Sequence, residues 1–133
     1  MKSRIRIAGI IIQNGNILML KGKGYKELWT PGGKVEEGES DENCLRRELK
    51  EEIGVNLINS KFFREYPGKS FYNPEVVYDQ KVYLATIEGN IEPDAEIENF
   101  VWFSKEDFKT KKYSMITNIE NKVIPDLIKE KIL

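Results

Sequence analysis

Apolar and polar positions alternate at the start of the chain, through Arg4, Ile5, Arg6 and Ile7, and then give way to an apolar run that reaches Ile12. This pattern over residues 4–12 predicts a strand that is half-buried at first and fully buried later. Asn14-Gly15 marks a hairpin turn, and Ile17 to Leu20 returns as the partner strand. Gly22 and Gly24 loosen the connection beyond it, and Pro31-Gly32-Gly33 reads as a second strong break. From Ser40 to Ile53 there is no proline or glycine, acidic residues crowd the first turn, and Leu45, Leu49 and Ile53 recur every four residues. That spacing predicts a helix with an apolar stripe, stopped by Gly54. Lys61 to Tyr66 and Val76 to Ile87 are rich in aromatic and β-branched residues, so both are expected to be strands. Pro67-Gly68 and Asn73-Pro74 lie in the loop between them. An acidic loop, Glu88 to Glu96, leads to a last strand at Phe100 to Phe103. Helical spacing resumes from Met115, with Pro125 expected to kink or divide that helix.

Composition narrows the chemistry more than the fold. At 133 residues, one domain spanning 1–133 is the default expectation. The single cysteine, Cys44, cannot form an internal disulfide, which suits a reducing, cytoplasmic setting. No apolar run approaches the roughly twenty residues needed to cross a bilayer, so no membrane partner is expected. The stretch from Met1 to Gln13 is short for a secretory signal and lacks a small-residue cleavage site after it, so it reads as a strand. Basic and acidic residues, 21 against 22, nearly cancel, and this balance offers no long-range field to capture nucleic acid. The chain has no histidine at all, which removes Ser-His-Asp and Cys-His nucleophile systems together with histidine-based zinc sites. Chemistry must rest on carboxylates, lysines, arginines or a metal.

Those carboxylates have a pattern. Glu48, Glu51 and Glu52 stand at i, i+3 and i+4 of the predicted helix, within about 100° of one another around its axis, and are expected to converge on one acidic patch. A hard divalent cation with oxygen ligands would remove their mutual repulsion, whereas the competing reading is a solvated acidic face. Arg47 lies beside the patch, where it could pair with Glu39 and tie the loop at Gly33 to the helix. Gly32 and Gly33 permit a sharp turn and close backbone approach to a phosphate.

Gly33, Glu39, Arg47, Glu48, Leu49, Glu51, Glu52, Gly54 and Val55 together fit the spacing Gly, five residues, Glu, seven residues, Arg-Glu-aliphatic-any-Glu-Glu-any-Gly-aliphatic. The segment resembles the box of the Nudix hydrolases (MutT-like). The resemblance implies an α/β (α+β) fold, a mixed β-sheet sandwiched between helices, in which the box forms a loop-helix-loop. It further implies an enzyme that splits a phosphoanhydride bond in a nucleoside diphosphate linked to a group X, with Glu48, Glu51 and Glu52 as ligands of Mg2+, for which Mn2+ substitutes. Glu51, Glu52, Glu96 and Arg47 are the catalytic candidates, and Glu52, Glu96 and Glu98 are the candidate bases. Glu96 is included because it lies six residues before Trp102.

Specificity lies outside the box. Gly32, Gly33, Lys34 and Trp29 are the substrate-binding candidates. Phe71, Tyr72 and Tyr78 are further aromatics that could stack on a base, and Lys21, Lys23 and Lys26 could meet phosphates. The compact length resembles members that sanitise nucleoside triphosphates, including oxidised ones. Dinucleoside polyphosphate or ADP-sugar hydrolysis, a non-catalytic nucleotide-binding module, and a structural calcium-binding helix are the alternatives. A small-molecule nucleotide is the expected partner, with the chain acting as a monomer or homodimer. Trp29, Thr30, Leu45 and Arg46 depart from residues common at those positions in the family, which touches helix packing and base recognition but leaves the ligands intact.

Overall fold

A computed structural model describes residues 2–68, 76–94 and 96–133 of the chain. The expected loop residues Phe71, Tyr72 and Asn73-Pro74 lie outside the described residues, as does the side chain of Tyr78.

The first strand does form, but it is divided. β1 spans Lys2–Ile10 and β2 spans Ile12–Gln13. Between them the Ile11 carbonyl accepts a hydrogen bond from the Leu18 amide at 2.8 Å. One apolar run therefore serves two sheets. The first sheet is ordered β5-β1-β7-β6, with β5 at Gly32–Lys34, β6 at Asn56–Tyr66 and β7 at Val76–Glu88. It is mixed, because β1 runs parallel to β7 and antiparallel to β5. The second sheet joins β2, β3 (Asn16–Gly22) and β4 (Leu28–Trp29), and β8 (Ile97–Phe103) pairs with β3.

Alternation along the strands decides which layer each residue enters. Ile7 and Ile11 of the first segment, with Leu18 and Leu20 of β3, pack with Leu45, Leu49 and Ile53. Ala8, Ile10, Ile17 and Met19 point the other way and pack with Ile119, Val123, Ile124 and Leu127 near the C-terminus. Helices thus cover both sides of the strands, as expected for the mixed α/β class. Each Leu or Ile so buried contributes roughly 1.5–3 kcal/mol of hydrophobic stabilisation before chain entropy is counted.

The central helix, α1, spans Asp41–Ile53. Ser40 caps it by accepting from the Asn43 amide at 3.1 Å, and Gly54 ends it in a left-handed conformation with φ 69°. The start, the stop and the apolar stripe all agree with the sequence pattern. Near the C-terminus a π-helical turn, Ile119–Val123, runs into α3 (Ile124–Lys129), with Pro125 in the first turn of α3. The wider turn lets the helix pass a residue that has no amide hydrogen to donate and whose ring crowds the preceding turn.

Several boundaries differ from the pattern. Gly32 and Gly33 form β5 and are not a break, because their backbone pairs with β1 in the register Ile7↔Gly33 and Ala8↔Gly32. β6 starts at Asn56, five residues before the aromatic-rich stretch, since pairing with β7 continues to Glu88 through two register shifts. β8 begins at Ile97, and a short helix α2, Lys105–Lys109, was not expected. Ser104 and Asp107 form a reciprocal capping box at the start of α2, a signal present in the sequence.

Candidate active site

Pairing of β5 with β1 sets the glycine backbone against one face of α1. The amide of Gly32 donates to Glu52 Oε1 at 2.9 Å, and Glu52 is only 7% exposed. At Gly32 the backbone has φ +145°, and a Cβ there would overlap the Ile7 carbonyl, so only glycine brings the strand this close. A Cβ on Gly33 would likewise overlap the carboxylate of Glu48. Gly32 is therefore required by the close pairing of β5 with β1, and Gly33 by the approach of Glu48.

Arg47 binds this arrangement together. Its Nε and Nη2 donate to the two oxygens of Glu39 at 2.7 and 3.0 Å, a bidentate pair. Nη2 also donates to the Lys34 carbonyl at 3.1 Å, and Nη1 donates to Glu48 Oε1 at 2.8 Å. The expected tie between loop and helix is present and extends to the acidic patch. Arg47 holds the Glu39 carboxyl down at about 2, with help from the Glu36 amide.

The three box glutamates are not equivalent. Burial pushes Glu48 above the usual carboxylate range, against the pull of Arg47. Glu52 is pushed up to about 8, chiefly by burial, with the Gly32 amide and Arg6 opposing and the charges of Glu48 and Glu96 adding to it. Glu51 turns toward solvent, 57% exposed, with Arg47 Nη1 3.5 Å away. Glu48 and Glu52 face β5, and Glu51 stands at the solvent edge of the same helix, where Arg47 Nη1 reaches both Glu48 and Glu51. Among the described residues no three acidic groups close around a common centre. The 100° between Glu51 and Glu52 explains this, because the helix turns only part of that arc toward the strand.

The acidic loop brings in Glu96. The Glu92 amide donates to the Ile53 carbonyl and the Asp94 amide to the Glu52 carbonyl, both at 2.9 Å, so the loop is sewn to the end of α1. Glu96, itself exposed, is close enough for its charge to act on Glu52. Glu98 forms an ion pair with Lys21, and both side chains are partly exposed. Lys34 is exposed and lines an open cavity of ≈ 430 Å³ with Ile5, Val35, Glu36 and Glu48. Trp29 lies across Gly22, edge-to-face with Tyr25 at 5.6 Å between centroids, and packs against both core clusters.

Arg6 is the residue that the motif does not signal. It reaches the Thr30 carbonyl at 2.8 Å, and its charge acts on both Glu48 and Glu52. Its alternation with Ile5 and Ile7 assigned it only to one side of a strand.

Carboxylates held against a glycine strand in a layered α/β fold are donors of the kind that hard cations prefer. The chain belongs to the Nudix family: residues 3–127 match the NUDIX domain. It is 41% identical over 78 residues to the 8-oxo-dGTP diphosphatase of Haemophilus influenzae, a match covering 51% of this chain and 57% of that protein. The chain therefore aligns with little more than half the length of that relative. Over 132 residues it is 26% identical to the nucleoside triphosphatase NudI of Klebsiella pneumoniae, covering 90% of this chain and 94% of the relative. Its fold matches that of MutT, from a study of the Aliivibrio salmonicida and Vibrio cholerae proteins, with a TM-score of 0.75 at 25% identity, covering 97% and 99% of the two chains.

Nudix hydrolases are in general dependent on a divalent metal. The donor set here fits such an ion, because it consists of carboxylate oxygens with no imidazole, and the mutual repulsion of Glu48, Glu52 and Glu96 is what a cation would relieve. No helix among the described residues is long and apolar enough to cross a membrane.

Proposed function

We propose that the chain hydrolyses a phosphoanhydride bond in a nucleoside diphosphate-X substrate, with nucleoside triphosphates, oxidised forms included, as the first class and Mg2+ as the cation, Mn2+ substituting. The observation that carries this reading is the unbroken box in which Glu48 and Glu52 are held against the Gly32–Gly33 backbone. The two relatives, a diphosphatase and a nucleoside triphosphatase, favour the triphosphate class.

In this reading Glu48, Glu51 and Glu52 would hold the cation. When bound, the cation neutralises the diphosphate and makes its phosphorus more electrophilic. Gly32 and Gly33 keep the β5 backbone close to Glu52 and Glu48, and the exposed Lys34 would supply positive charge for a phosphate beside them. Arg47 orients Glu48 and keeps the Glu39 loop on the helix. Water attacks one phosphorus, the anhydride P–O bond breaks, and the water proton passes to Glu52 or Glu96. The engagement of Glu98 with Lys21 favours these two over it. Trp29 is the aromatic candidate for the base among the described residues. The setting proposed is cytoplasmic, with a monomer or homodimer as the working unit.

Incubation with Mg2+ and a panel of nucleoside triphosphates, oxidised triphosphates, dinucleoside polyphosphates and ADP-sugars, followed by chromatography, tests the reading. Release of a nucleoside monophosphate from a triphosphate is expected. Preferential cleavage of another member reassigns X, and no turnover across the panel would leave a nucleotide-binding module in place of an enzyme.

A further inference from the structure

Three consecutive residues before the box glycine are each fixed by one hydrogen bond. The Thr30 carbonyl accepts from Arg6 Nη2 at 2.8 Å, and the Pro31 carbonyl accepts from the Gly9 amide at 2.8 Å. The Gly32 amide then donates to Glu52 Oε1 at 2.9 Å. Two of these anchors come from β1 and the third from α1. Thr30 is almost fully buried, so its carbonyl would be left without a solvent partner if the guanidinium were removed. Proline follows it, with φ fixed by the ring, and then Gly32 at φ +145°. The Pro31–Gly32 peptide, whose amide meets Glu52, is thus held on one side by Gly9, and the Thr30 anchor sets its other side through the fixed φ of Pro31. Arg6 also reaches Gln80 Oε1 at 3.5 Å, which steadies it on the neighbouring strand β7.

We propose that Arg6 is a positioning residue of the hydrolytic site: by holding the Thr30 carbonyl it fixes the Thr30–Pro31–Gly32 backbone, and through the Gly32 amide it fixes the carboxylate of Glu52. This rests on the phosphoanhydride hydrolysis proposed above. Arg6 acts through the loop and not on the substrate, so its loss should lower kcat and spare KM.

The test compares wild type, Arg6→Met and Arg6→Lys by amide exchange at Gly32, followed by NMR, and by steady-state kinetics with the triphosphate that the wild type turns over. Arg6→Met is expected to speed Gly32 exchange roughly tenfold relative to core amides such as Leu18, and to lower kcat roughly tenfold with KM within about twofold. Arg6→Lys keeps the charge and a donor and should bring both values back to within about threefold of wild type. Should Arg6→Met not fold, Arg6→Gln is read in the same way. Unchanged Gly32 exchange overturns the proposal, as does faster exchange with wild-type kcat, and as does a rise in KM alone. Absence of turnover in the wild type would remove the hydrolytic reading, while Gly32 exchange would still decide for or against Arg6 as the anchor of Glu52.

Discussion

Arg47 and Arg64 each gather carboxylates from another part of the chain, yet the surroundings differ. Arg47 is 25% exposed and engages Glu39 through two bonds, Glu48 through a third and the Lys34 carbonyl through a fourth. Arg64, on β6, is 43% exposed, stacks 4.9 Å from the Phe63 ring centroid and pairs with Asp126 and Glu130 of the C-terminal helical segment. Asp126 also accepts from Tyr66 at 2.6 Å. The first network joins a loop, a strand and a helix around half-buried acids; the second fastens a helix to an edge strand in water. Similar chemistry thus sets the geometry of a site in one place and contributes little more than attachment in the other, because solvent screens an exposed pair.

The largest expected effect falls on the acids of α1 beside the Arg47 network. Glu52→Gln keeps an acceptor for the Gly32 amide but removes the charge, and turnover should fall by roughly a hundredfold or more while the fold survives. Glu51→Gln is expected to lower turnover by a similar order without altering the urea midpoint, since that side chain is exposed. Near-wild-type turnover in both would contradict the assignment.

Arg47→Ala comes next. Losing the bidentate pair and the Lys34 carbonyl bond should reduce kcat/KM by roughly tenfold and stability by about 1.5–3 kcal/mol, as judged by urea unfolding. Arg64→Ala should shift the urea midpoint far less than Arg47→Ala and leave turnover unchanged. Equal effects of the two alanine variants on turnover would erase the contrast between the networks.

The smallest effect is on the acid side. The Glu39 carboxyl is lowered from 4.5 to about 2 in the folded protein. Its pairing therefore stabilises the fold above pH 4.5, and that contribution is lost as pH falls from 4.5 toward 2. Urea midpoints of Glu39→Gln should accordingly vary less than wild type across this window. Asp126, lowered chiefly by Tyr66 and then by Arg64, has the same sign, so Asp126→Asn should flatten the profile in the same direction.

Much of this site was legible because it is local. Spacing within one helix placed Glu48 and Glu52 together, and the step from Glu39 to Arg47 predicted their pair. The apolar stripe of α1 and its glycine stop followed from the same periodicity. The strand role of Gly32 and Gly33 was hidden, because glycine-rich sequence reads as a turn unless the partner strand is known. Arg6 was hidden for the same reason: the β1–β5 pairing, made across more than twenty residues of intervening chain, brings it to Thr30. The outward turn of Glu51 depends on how far α1 rolls onto β5, which helical spacing alone does not determine. Glu96 is an intermediate case, suggested by its distance from Trp102 and brought to Glu52 by backbone bonds of the acidic loop.

The central claim is that this carboxylate site hydrolyses a phosphoanhydride with a divalent cation. Its most direct test is product analysis of one nucleoside triphosphate incubated with the wild-type protein, first in EDTA and then with Mg2+ restored in excess. Nucleoside monophosphate and pyrophosphate should form only after Mg2+ is added. Undiminished hydrolysis in EDTA, or none with Mg2+ or Mn2+, would contradict it.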